Sequence, residues 1–269
     1  MIQTESPRRN RPSIHPATQP AGNNLITVAS GKGGVGKTIL AVSLTHALAK
    51  TGKKVLLFDG DVGLANVDIQ LGIMPEKDLA TVVTGEMELK DAIFNYAEGG
   101  FDLLAGRSGS GSLGTMSVSQ LQKIRLDLSG LSNNYDFIIL DLGAGIDEAV
   151  RTLSGGAGPK LVVTTGDPTS LTDAYAYIKV TSQITPDADL RILINMVKSE
   201  AEGQKVYEKL LTACRNFLKI EPPLAGIIET DEKVSNAIRA QAGLMTRYPT
   251  SRAANAIDNL ARYLIKGAA

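Results

Sequence analysis

One cysteine, Cys214, two histidines and no tryptophan are all that 269 residues offer of the side chains that most often build redox, metal or stacking sites. A single thiol closes no intramolecular disulfide and supplies no Cys-x-x-Cys cluster. That argues against a disulfide scaffold or an iron–sulfur carrier and fits a reducing cytoplasm. His15 and His46 lie far apart and show no ligand spacing. No apolar run nears the roughly 18 residues of a membrane span. Prolines and arginines stand at the N-terminus where a secretion signal would be apolar, so the cytoplasm is the expected compartment. An excess of one charge is also missing. With 28 basic residues against 28 acidic ones, no chain-wide field points to nucleic acid or membrane.

What is present is a patterned apolar content of 43%. Short continuous runs such as Val55-Leu56-Leu57-Phe58 and Phe137-Ile138-Ile139-Leu140 read as strands covered on both faces. Strands are expected at Leu25–Ala29, Lys54–Asp59, Phe101–Leu104, Phe137–Asp141, Lys160–Thr165, Arg191–Met196 and Leu224–Ile228. Between them, helices are expected at Lys37–Lys50, Val118–Ser129, Asp147–Ser154, Leu171–Ser182, Glu200–Leu218, Asp231–Gln241 and Ser251–Lys266. In the last, Ala253, Ile257, Leu260, Ala261 and Leu264 form one buried stripe. This alternation predicts a single α/β domain over 23–269, a mostly parallel sheet with helices on both faces. Residues 1–22, with Pro7, Pro12, Pro16, Pro20 and three arginines against Glu5, read as a disordered tail. It is either a solvated leader or a docking arm for a partner or an acidic surface.

Gly31-Lys32-Gly33-Gly34-Val35-Gly36-Lys37-Thr38 follows an apolar strand and opens a helix, the context that makes Gly-x4-Gly-Lys-Thr a P-loop. Backbone N–H groups from Gly31 to Ile39 would face the phosphates, aided by the helix N-terminus. Lys37 would reach the β and γ phosphates and the Thr38 hydroxyl would ligate magnesium. Two further strands end in acid. Asp59 and Asp61 follow Val55–Phe58, and Asp141 follows Phe137–Leu140 with Gly143 and Gly145 behind it. Such carboxylates point into the crevice where ligands of open α/β sheets bind. Asp59 and Asp141 would organise the metal and Asp61 the attacking water; each could instead cap its own turn. Asn195 ends the run Ile192–Ile194. Its amide suits the adenine edge, or it forms a turn. No Asn-Lys-x-Asp guanine reader is present, so the expected cofactors are ATP and Mg2+.

The extra lysine in Lys32-Gly33-Gly34-Val35-Gly36-Lys37-Thr38 resembles the deviant Walker A box of the MinD/ParA family of ATPases. The resemblance implies that Lys32 reaches a partner's phosphates in an ATP-bridged homodimer; a bare surface charge is the plainer alternative. It also implies that Asp61 assists water attack, that Asp141 is the Walker B acid, and that Asn195 reads adenine. Gly63-Leu64-Ala65-Asn66-Val67-Asp68 and Asp167-Pro168-Thr169-Ser170-Leu171-Thr172-Asp173-Ala174-Tyr175 look like the flagellar number regulator branch, FlhG/FleN-like. In the second string Thr169 or Ser170 is expected as a helix N-cap. The branch implies slow, Mg-dependent ATP hydrolysis that regulates flagellar number or placement. Its partners would be a flagellar GTPase, a basal-body protein or a transcription regulator, with peripheral contact at the inner membrane or cell pole. A ParA-type partitioning ATPase with non-specific DNA binding is the alternative.

Four departures bear on this. Leu142 replaces a polar residue, and Glu229 replaces a proline. The tail lacks the Asp-Gln-Ala-x-x-Leu-Arg stretch. No basic amphipathic segment follows the helix Ser251–Lys266.

Overall fold

The computed structural model describes residues 24–61, 66–106, 116–156 and 158–268. The tail expected at 1–22 and the Gly63–Ala65 part of the acidic segment lie outside the described residues. The first strand, β1 (Leu25–Ser30), is buried along its whole length. Then come α1 (Lys37–Lys50), β2 (Val55–Gly60), α2 (Val67–Leu71), α3 (Leu79–Val83), β3 (Phe94–Tyr96), β4 (Phe101–Leu104) and α4 (Val118–Leu131). The second half holds β5 (Phe137–Ala144), α5 (Glu148–Ser154), β6 (Lys160–Thr164), α6 (Pro168–Ile184), β7 (Leu190–Val197) and α7 (Glu200–Ala213). It ends with β8 (Leu224–Glu229), α8 (Glu232–Arg239), α9 (Leu244–Arg247) and α10 (Arg252–Ala268).

The sheet order is β3-β4-β2-β5-β1-β6-β7-β8. Every pairing is parallel except β3 with β4. Successive side chains of a strand point to opposite faces, and the two apolar layers divide accordingly. Ile26, Val28, Val55, Leu57, Phe137 and Ile139 join the layer under α1 and α10. Leu25, Ala29, Leu56, Phe58, Ile138 and Leu140 join the layer under α4 to α7. Helix α1 lies between the sheet and α10 and is buried nearly all round, which is why its sequence shows no polar face.

The expected stripe of α10 is buried in full and packs on α1 and β8. That face is therefore part of the core and cannot lie on a bilayer while the fold holds. No helix among the described residues is long and apolar enough to cross a membrane.

Three expectations are corrected. Strand β5 runs past Asp141 to Ala144, because β1 and β2 flank it and Ser30 pairs with Ala144. The helix expected over Glu200–Leu218 is regular only to Ala213; Cys214–Leu218 form a π turn, and Lys219 at φ 60° ends it. Asp167, with Pro168 next in line, caps α6, its carboxylate accepting the Thr169 N–H; Thr169 and Ser170 do not.

Leu260→Ala, in the middle of the α10 stripe, should lower unfolding free energy by about 2–5 kcal/mol, measured as a shift in the urea midpoint.

Candidate functional site

At the C-terminal edge of the sheet, the chain leaves β1 between strands that fan out to either side, β5 and β2 one way, β6 to β8 the other. Open α/β folds bind ligands at such a crevice. The loop Gly31–Gly36 crosses it and enters α1. Two glycines are required by what surrounds them. A side chain at Gly31 would meet the backbone carbonyl oxygen of Asp173 at 2.1 Å. Gly36 is left-handed at φ 88°, and a Cβ there would lie 2.6 Å from Asn195 Nδ2. No side chain caps α1, and the first N–H to bond back into the helix is that of Leu40. The N–H groups ahead of it remain for an anion.

Lys37 opens α1 and is only 8% exposed. Burial lowers its pKa, opposed by the charges of Asp141 and then Asp61. The β2–β5 register sets Asp59 opposite Asp141, and both are almost completely buried. Asp141 is pushed up to about 8 by burial and by the charge of Asp59, against the pull of the Thr38 hydroxyl and Lys37. Neither of its carboxylate oxygens has a hydrogen-bond partner; Thr38 is near enough to act on the titration without completing a bond. Asp59 is pushed up to about 7, chiefly by burial. Its oxygens accept the N–H groups of Asp61, Asn66 and Val67 at 3.4, 3.2 and 3.1 Å. Asp59 thus binds the backbone at Asp61, Asn66 and Val67, whereas both Asp141 oxygens are buried without a partner. Asp61 leans over Gly143, where an added Cβ would come 3.3 Å from its Oδ1.

Among the described residues, no cluster of three or more His, Cys, Asp or Glu side chains gathers to cage a metal. An orphaned carboxylate beside a threonine hydroxyl fits magnesium instead, which keeps most of its waters and takes phosphate oxygens as ligands.

Asn195, near the end of β7, is buried and bonded at both ends of its amide. Its Nδ2 donates to the Val35 carbonyl at 2.8 Å, and its Oδ1 accepts the Met196 N–H at 2.9 Å. Here it braces the phosphate loop. Beside it opens a cavity of about 210 Å³, lined by Ile39, Leu40, Met196, Ile228, Asp231 and Val234 among others. Its position behind the loop and its apolar walls suit a nucleobase.

Lys32 lies on the outer rim. Its Nζ donates to Asp167 Oδ2 at 3.0 Å and to Thr169 Oγ1. The pair is about half exposed and borders a second cleft of about 340 Å³ between the loop and the ends of β6 and β7. Lys32 is therefore held by the head of α6, whereas Lys37 lies in the field of Asp141 and Asp61.

Residues 26–244 match the CobQ/CobB/MinD/ParA nucleotide binding domain. The chain belongs to this family. It is 36% identical over 250 residues to the antiactivator FleN of Pseudomonas aeruginosa, across 93% of this chain and 87% of the relative. It is 33% identical over 241 residues to the flagellum site-determining protein YlxH of Helicobacter pylori, across 89% and 81%. Septum site-determining MinD of Pyrococcus horikoshii, solved with Mg-ADP, superposes with a TM-score of 0.77 at 24% identity, across 91% and 97% of the two chains. At that identity it speaks for the fold alone.

For this MinD/ParA-family chain, sequence reasoning located the loop and the strand-tip acids. It did not find Met196, a non-glycine residue at φ 58°, or the β8 tip as cavity wall. The rule that strand C-terminal ends line the crevice could have found the latter. It also missed Asp167 as the residue that holds Lys32.

Unfolded aspartates titrate near 3.8, while folded Asp59 and Asp141 keep their protons to about 7 and about 8. The folded state binds more protons in that interval. Stability of the nucleotide-free protein should therefore fall as pH rises from about 4 to about 8, by up to about 1.4 kcal/mol per pH unit for each group. Asp141→Asn should flatten the upper part of that slope, read from urea midpoints taken across it.

Proposed function

We propose that this chain is an ATP-dependent dimerisation switch that hydrolyses ATP slowly with Mg2+ and regulates flagellar number or placement. The observation that carries it is the division of labour between two lysines. Lys37 is buried at the head of α1, while Lys32 is half exposed on the rim with its ammonium bound to Asp167 and Thr169. An ammonium in the second position serves a phosphate approaching from another subunit better than one in its own loop. Membership of the MinD/ParA family and similarity to FleN and YlxH supply the flagellar context.

In this reading the N–H groups of Gly31, Gly33, Gly34, Val35, Gly36, Lys37, Thr38 and Ile39 wrap the phosphates. Lys37 offsets charge on the β and γ groups. Thr38 and Asp141 would hold magnesium, which when bound neutralises charge that builds on the phosphate oxygens. Asp61 orients the attacking water from its place over Gly143. Asp59 keeps the loop that carries Asp61 in register. Asn195 meets the base with the amide N–H and lone pair that its bonds to Val35 and Met196 leave over. Gly143 and Gly145 let the backbone move when the γ phosphate leaves. The dimer works in the cytoplasm, in peripheral contact with the inner membrane or pole. Its partner, a flagellar GTPase, basal-body protein or transcription regulator, speeds the reset.

Light scattering with ATP tests this. Lys32→Ala should abolish ATP-dependent dimers while leaving ATP affinity within about threefold, since the intra-loop contacts remain. Asp167→Asn removes the ion pair that holds Lys32 on the rim, so dimers should form at severalfold lower protein concentration. Equal dimerisation of wild type and Lys32→Ala would overturn the reading. Salt-steep DNA binding in the ATP state would favour a partitioning role instead.

A further inference from the structure

Helices α4 and α5 pack side by side and leave a surface cleft of about 320 Å³ between them, lined by Gln122, Arg125, Leu126, Arg151 and Thr152. Three properties set it apart. Both charged groups in it are guanidinium ions, and neither has a carboxylate partner among the described residues. Leu126 stands beside them 64% exposed, a large apolar side chain that the fold leaves in water. Arg125 is already aimed: its Nη1 donates to the carbonyl of Gly155, the residue that ends α5.

The cleft is also joined to the nucleotide site by a short connection. Strand β5 carries Asp141 and ends at Ala144. Gly145, at φ 106°, ties back to Ser30 through its N–H at 2.8 Å. Asp147 then caps α5, accepting the Val150 N–H at 2.9 Å. Only three residues separate the strand from the helix that bears Arg151. A shift of the Gly143–Gly145 backbone would move α5 as a unit and change the spacing of Arg151 from Arg125 on α4.

We propose that the α4–α5 cleft is a docking site for an acidic, leucine-containing helical segment of a partner protein, and that its affinity follows the nucleotide state. A carboxylate matches each guanidinium with short, charge-assisted bonds, and Leu126 offers the apolar anchor that a helix laid in a groove requires. Two guanidinium groups in a cleft of about 320 Å³ match a pair of carboxylates more closely than the phosphate rows of DNA or of an anionic bilayer. The nucleotide dependence rests on the function proposed above; the docking does not.

The full-length protein can be titrated against a fluorescein-labelled amphipathic peptide of about 14 residues, long enough for a few helical turns, with glutamate and leucine at helical spacing. A control peptide carries glutamine for each glutamate. Wild type should bind the glutamate peptide and not the control, in a salt-sensitive way. Arg151→Glu should weaken binding at least about tenfold with its ATP affinity unchanged. The Arg151 side chain is exposed and has no hydrogen-bond or ion-pair partner among the described residues, so that variant should fold; Leu126→Ser is a second, milder probe. Loading with a non-hydrolysable ATP analogue instead of ADP should change the affinity by about threefold or more. The docking site is overturned by absent peptide binding, by binding indifferent to Arg151→Glu, or by duplex DNA or phosphatidylglycerol vesicles binding in the peptide's place. Equal affinity in both nucleotide states overturns the coupling. Peptide binding is read first without nucleotide, so a failure to bind ATP would strike the dimerisation switch and leave this site to stand or fall alone.

Discussion

Removing two carboxylates and an ammonium from water at neighbouring strand tips is the constraint around which the site is built. Asp59, Asp141 and Lys37 are buried together, and burial acts against the charged form of each. A buried charge left without a partner costs several kcal/mol. Each member answers this differently. Asp59 takes backbone N–H groups from the loop after β2. Lys37 leans on the fields of Asp141 and Asp61. Asp141 has nothing on its oxygens and so shows the largest rise. A cluster that is under-satisfied by itself suits a divalent cation with a polyphosphate, which would bring the missing charges in matched amounts.

Rigidity of the cradle comes from parts distant in the chain. The Asn195 amide holds the Val35 carbonyl from the tip of β7. Asp173, on α6, closes the space at Gly31. Asp167, at the head of that helix, holds Lys32. The phosphate loop is thus bounded by α6 and β7 as much as by its own strand and helix. A change in any of those bonds reaches the loop without passing through the nucleotide.

The strands with continuous apolar runs were legible because both of their faces are covered, and all seven appear within a residue or two, apart from the added length of β5. Glycines at fixed spacing before a helix made the loop equally plain. What escaped has physical reasons. Strand β3 is three residues, Phe94-Asn95-Tyr96, too short to show a period. The α6 cap went to Asp167 because proline follows it, and three neighbouring hydroxyl and carboxyl side chains offered the same chemistry. Asn195 is expected at a strand end, but its bond to Val35 joins positions 160 residues apart, which no local pattern encodes. The arginines of the α4–α5 cleft sit on two helices that meet only in the folded chain.

The place of β1 has a consequence of its own. It is flanked on both sides, by β5 and β6, and every one of its residues is buried. Backbone amides in such a strand open only when the whole molecule does. The anchored half of the cradle is therefore finished before any nucleotide arrives. Affinity need not be spent on ordering it and passes into global stability by mass action, about 2.7 kcal/mol at a hundredfold excess over Kd. For this protein, occupancy and resistance to unfolding are two readings of the same free energy.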